Sequence, residues 1–70
     1  MFVCEFQKIS NGRYFGRSEH PDRTAAEKHA TTELIGFGED PVDVRNAVAV
    51  ASVACADTSA DGYGVRIFEG

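Results

Sequence analysis

Residues 41–56 read Pro41-Val42-Asp43-Val44-Arg45-Asn46-Ala47-Val48-Ala49-Val50-Ala51-Ser52-Val53-Ala54-Cys55-Ala56. The fold depends on how this run is read. Alternation of Val and Ala from Ala47 to Val50 suits a strand, where successive side chains face opposite ways. Length and composition predict a helix instead. From Val42 to Ala56 the run is about fifteen residues, beyond the usual strand of roughly 3–10, and alanine is the best helix former. Val44, Val48, Ala51 and Cys55 form one helical stripe. Val50, Val53 and Ala54 make the other side apolar too, which predicts burial on several sides, by sheet and first helix together or by another chain. The start is well marked. Asp40 suits the N-cap, Pro41 the first helical position, and Asp43 the positive end of the helix.

Upstream, Gly36 and Gly38 end an earlier helix, since glycine readily takes the left-handed C-terminal conformation. That helix begins around His20-Pro21-Asp22, and Thr24 and Glu27 have capping-box spacing. Its apolar stripe is Ala26, Ala30, Leu34 and Phe37. Before it, residues 2–9 and 13–18 alternate as strands around Asn11-Gly12, a dipeptide suited to a two-residue type I′ turn. Such a turn sets Lys8 opposite Phe15 and Ile9 opposite Tyr14. Phe2, Cys4, Phe6, Lys8 and Phe15 then share the core face. Val3, Ile9 and Tyr14 leave an apolar cluster on the other face.

Downstream, 57–62 is a polar turn. Residues 63–69 form a last strand with Tyr63, Val65 and Ile67 on one face and Gly64, Arg66 and Phe68 on the other. The expected fold is one α+β domain over 1–70, in the order β-β-α-α-β. Its three-stranded sheet is a 1-2-3 meander with both helices on one face and the last strand parallel to the first.

Seventy residues make one small domain, whose core supplies only roughly 3–5 kcal/mol of net stability. Self-association, for instance as a homodimer, would add to this. The net charge is −4. Residues 1–35 are balanced, and the excess lies in Glu39, Asp40, Asp43, Asp57, Asp61 and Glu69 against Arg45 and Arg66. Such a surface repels nucleic acid, whose affinity for proteins comes largely from Lys and Arg. It attracts a basic protein face. No apolar run approaches the roughly 20 residues of a membrane span, and residues 1–5 have no signal-peptide pattern. Two cysteines, Cys4 and Cys55, fit a reducing, cytoplasmic setting.

Catalytic signals are sparse. His29 and Glu33 share a helical face, but no convergent set of metal ligands accompanies them. Both cysteines sit in apolar sequence and read as packing residues. Gly36-Phe37-Gly38 is followed by two carboxylates that would repel a phosphate. The expectation is a protein without catalytic residues, metal or cofactor. Glu39, Asp40 and Asp43 at one end of the second helix, with Asp57 and Asp61 at its other end, would be spaced by roughly 22 Å. In that form they imitate phosphates along a groove, with Tyr14 or Tyr63 as an anchor.

In size and charge the chain resembles phage-encoded inhibitors, anti-CRISPR proteins among them. The resemblance is one of profile and rests on no motif. It implies an inhibitor or regulator of a nucleic-acid-handling protein complex. An alternative is a nucleic-acid-binding sheet using Tyr14 and Arg17, with base stacking on an open sheet face. A second is a subunit of a small oligomer, including one that builds an active site around His29 or Glu33 between chains.

Overall fold

The computed structural model describes residues Met1–Gly70. Its elements are β1 (Phe2–Lys8), β2 (Arg13–His20), α1 (Arg23–Gly36), α2 (Pro41–Val50), β3 (Ala56–Asp57) and β4 (Tyr63–Glu69). The fold is α+β with two helices and an antiparallel sheet, as expected, but the sheet has four strands in the order β2-β1-β4-β3. The expected three-stranded meander, with the last strand parallel to the first, is not formed.

The difference begins in the 41–56 run. Asp40 caps α2 as read, accepting from the Val42 and Asp43 amides, and Pro41 lies in the first turn. The helix stops at Val50, however. Five valines between 42 and 53 weaken helical preference, and two distant groups take the chain at this point. The Arg23 guanidinium donates to the Ala51 carbonyl at 2.6 Å, and the Ile67 amide donates to the Ser52 carbonyl at 3.1 Å. Ala51 is buried, while Val50 and Val53 stand 71% and 65% exposed. Sheet and first helix therefore do not bury this run on all sides.

The freed residues supply β3, which pairs antiparallel to β4. This extra reversal inverts the direction of β4, which lies antiparallel to β1. The arrangement suits the strands. β1 carries Phe2, Val3, Cys4 and Phe6 and takes a central place. The charged β2 becomes an edge, where charges and a bulge discourage further pairing.

The β1–β2 turn falls where expected with a different geometry. Four residues, Ile9–Gly12, form the loop. Gly12 has φ +69°, whereas no other residue type has positive φ. Asn11 instead accepts the Arg13 amide through its side chain at 2.9 Å. Phe6 faces Phe15 and Gln7 faces Tyr14, two positions from the expected register. A slip of two preserves which face each residue occupies. A bulge at Gly16, φ +67°, then shifts the pairing between Cys4 and Phe6.

Asp22, not Thr24, caps α1, its carboxylate accepting the Ala25 amide at 2.8 Å. Glu27 pairs instead with Arg23 at 3.0 Å. At the other end Gly38 donates to the Ile35 carbonyl and Glu39 to the Leu34 carbonyl, closing a Schellman motif. Ala26, Ala30 and Leu34 are buried with Cys4, Phe6, Val44, Ala47, Val48, Ala51, Val65 and Ile67. Both helices thus pack on the face carrying Cys4, Phe6, Val65 and Ile67, and the other face of the sheet is left without a helix. No helix is long and apolar enough to cross a membrane.

Candidate protein-binding surface

The uncovered face is built by strand alternation. Val3, Glu5 and Gln7 of β1 point to it, as do Gly64, Arg66 and Phe68 of β4, and the ladder sets Glu5 beside Arg66 and Val3 beside Phe68. Tyr14 enters opposite Gln7. The bulge at Gly16 brings Arg17 to within 3.8 Å of the Glu5 carboxylate. The Arg66 guanidinium donates from Nε at 3.0 Å and from Nη2 at 2.5 Å to Glu5 Oε1. Those bonds hold the guanidinium above its ordinary pKa, against the opposing effect of burial.

Arg66 is also clasped by rings. Its Cζ lies 4.1 Å from the Tyr14 ring centroid and 5.3 Å from that of Phe68, and Arg17 Cζ lies 5.9 Å from Phe68. Cation–π contacts of this kind contribute roughly 0.5–1 kcal/mol each at exposed sites. The result is a ladder, Tyr14, Arg66, Phe68, Arg17, seated on a buried Val3 and the 12%-exposed Glu5 side chain. Tyr14 is 44% exposed. The Cys55 sulfur and its hydroxyl are 3.7 Å apart, and hydrogen bonding of the phenol to that sulfur raises its pKa. Cys55 is therefore part of this face and not a packing residue among alanines.

The acidic residues are arranged differently from the expectation. The 58–62 turn folds back to the start of α2, where the Thr58 and Ser59 hydroxyls donate to the Glu39 carboxylate. Thr58 is buried, and its amide donates to the Tyr63 carbonyl at 2.8 Å. Glu39 is thus a clamp between the α1–α2 connector and the last turn, and Asp40 is a helix cap. Asp61 belongs to the turn that Glu39 holds, so it joins Glu39, Asp40 and Asp43 at one end of α2. Asp57 faces Gly64 and turns to the open sheet face. Two acidic groups separated by the length of a long helix do not exist, because α2 is only ten residues long.

Tyr63 and Tyr14 lie on opposite faces. Tyr63 joins an inner aromatic cluster, 4.7 Å from Phe37 and 5.9 Å from Phe15 between ring centroids. His29 makes no ion pair with Glu33. Its ring lies 4.9 Å from that of His20 and 6.1 Å from Phe6, and the Ser18 hydroxyl and His20 Nε2 are 2.9 Å apart. Cys4 is fully buried, and burial, followed by the nearby Glu33 and Glu5 charges, pushes its thiol up to about 11. Such a thiol stays protonated and is a poor nucleophile.

Tyr14 was legible as a member of an open face and Arg66 and Phe68 as neighbours on one face of the last strand, while Arg17 reaches them through the bulge at Gly16. Glu5 as their anchor was not legible, because Glu5 and Arg66 meet only through the β1–β4 pairing that the meander order denied. A comparison with protein-family models, curated proteins and solved structures found no match to this chain.

Proposed function

We propose that the chain is a non-catalytic protein-binding module that docks through the open face of its sheet. The observation that carries this reading is Arg66, clasped between Tyr14 and Phe68 and anchored on Glu5. Tyr and Arg dominate binding hot spots, and a side chain already held in place loses less entropy on association. Charge favours a protein partner over nucleic acid. Arg17 and Arg66 share the face with Glu5, Glu19 and Asp57, so few cations are free to neutralise phosphates.

The partner we propose is a nucleic-acid-handling protein or complex, which the chain inhibits or regulates. The net charge of −4 supports a basic partner surface, and the phage-inhibitor profile agrees with it. Asp43 and Asp61 are exposed at the start of α2 and available for steering, as is Asp57 on the sheet face, whereas Glu39 and Asp40 hold the fold. The test is affinity capture from source-cell lysate after nuclease treatment, with the wild type, Tyr14→Ala and Asp43→Lys/Asp61→Lys as baits. A nucleic-acid-handling protein retained by the wild type, lost by Tyr14→Ala and weakened by the double reversal is the expected result. Equal retention by folded Tyr14→Ala refutes the sheet-face reading. Loss of all retention on nuclease treatment supports the nucleic-acid-binding alternative.

A further inference from the structure

The helical layer carries a second surface feature, away from the sheet. A groove of about 720 Å³ runs between α1 and α2, lined by Lys28, Thr31 and Ile35 on one wall and by Val42, Arg45 and Val48 on the other. The spacing on both walls is three to four residues per step, so each wall is one continuous helical face. On α1 this face is distinct from the core stripe Ala26, Ala30 and Leu34; on α2 it meets the core at Val48, which is buried with Val44, Ala47 and Ala51. Ile35 and Val42 are 44% and 53% exposed, an apolar floor in contact with water.

Charge decides what fits there. Arg17, Arg23 and Arg66 are all committed to carboxylates of this chain. Lys8, Arg13, Lys28 and Arg45 form no ion pair, and of these Lys28 and Arg45 border the groove. The one acidic residue of the lining, Glu27, is held by Arg23 at 3.0 Å. An otherwise acidic molecule thus presents an apolar channel edged by two uncommitted cations. A second copy of the chain, docking face to face, would oppose these cations to themselves. An elongated groove between two helices suits a third helix, which enters through residues at i, i+3/i+4 and i+7.

We infer that the α1–α2 groove binds an acidic amphipathic helix of a partner protein, with its apolar stripe over Ile35 and Val42 and its carboxylates at Lys28 and Arg45. This surface is separate from the Tyr14–Arg66 face and does not depend on it.

The probe is a labelled, helix-stapled peptide with Leu at i, i+4 and i+7 and Glu on both flanks. Its control is the same peptide with Lys for each Glu. Binding is followed by fluorescence anisotropy and by amide chemical-shift mapping on the full chain. The acidic peptide should bind at least roughly tenfold more tightly than its Lys twin, from two ion pairs at a partly desolvated site. Shifts should centre on Lys28, Thr31, Ile35, Val42 and Arg45. Lys28→Glu/Arg45→Glu, both on exposed positions, should reverse the preference between the twins while leaving the circular dichroism spectrum unchanged. Tyr14→Ala should bind the peptide as the wild type does, which separates this outcome from the fate of the sheet-face reading. Equal affinity for the twins, or shifts centred on the sheet, overturns the inference. So does concentration-dependent dimerisation with shifts in the groove, which would assign it to a second copy.

Discussion

Replacing Glu39 by Ala should destabilise the domain more than replacing Asp43, although the two look alike in the sequence. The Glu39 carboxylate accepts from the Thr58 and Ser59 hydroxyls, the second at 3.3 Å. A hydrogen bond to a charged group contributes about 1.5–3 kcal/mol. The lower end applies, because Glu39 is half-buried and because the freed Thr58 hydroxyl can turn to the Tyr63 carbonyl at 2.7 Å. The loss is then about 1.5 kcal/mol from a domain holding only roughly 3–5. Asp43 is exposed, and its interaction with the helix dipole is worth about 0.3–1 kcal/mol. Urea denaturation resolves the two. With a slope of about 1 kcal/mol/M, Glu39→Ala should lower the midpoint by about 1.5 M, and Asp43→Ala by under about 1 M. Equal midpoints would refute the clamp and return Glu39 to the acidic surface as a free charge.

The two cysteines should behave as opposites. Cys55 is partly exposed beside Tyr14 and Cys4 is fully buried, so a thiol reagent should modify one site in the native protein and the second only in denaturant; two fast sites would contradict the packing of Cys4. The same burial makes stability pH-dependent. The unfolded Cys4 thiol titrates near 9.0 and the folded one near 11, so the unfolded chain releases the proton first and stability falls as pH rises from about 9 to 11, by up to about 3 kcal/mol. Cys4→Ala should lack that part of the alkaline decline, and an identical pH profile would count against it. Gly16→Ala should cost about 1–2 kcal/mol for its left-handed backbone alone, and more because an added Cβ would lie 2.9 Å from Phe6 Cδ2; an unchanged melting temperature would show that the bulge relaxes.

Local chemistry was legible wherever near neighbours decide the outcome. Asp40 and Pro41 begin α2, Gly38 ends α1, and Ala26, Ala30 and Leu34 line the core face, because caps, turns and a 3.6-residue period are properties of adjacent residues. The alternation of β4 separated Val65 and Ile67 from Arg66 and Phe68, and the structure buries the first pair. Even the misplaced hairpin register kept its faces, since it slipped by two.

The remainder was decided in three dimensions. The end of α2 depends on Arg23, whose guanidinium binds the Ala51 carbonyl 28 positions away, and no local propensity reports such a bond. With α2 shortened, β3 forms, the chain reverses once more, and β4 pairs with β1 instead of β2. That pairing sets Arg66 on Glu5 and completes the Tyr14–Phe68 clasp, and the turn after β3 converts Glu39 from a surface charge into a clamp. Composition and local pattern together determined that this is a small acidic α+β domain. Which charges remain free for a partner was decided only by tertiary structure, because a charge is committed or available according to what distant chain lies beside it.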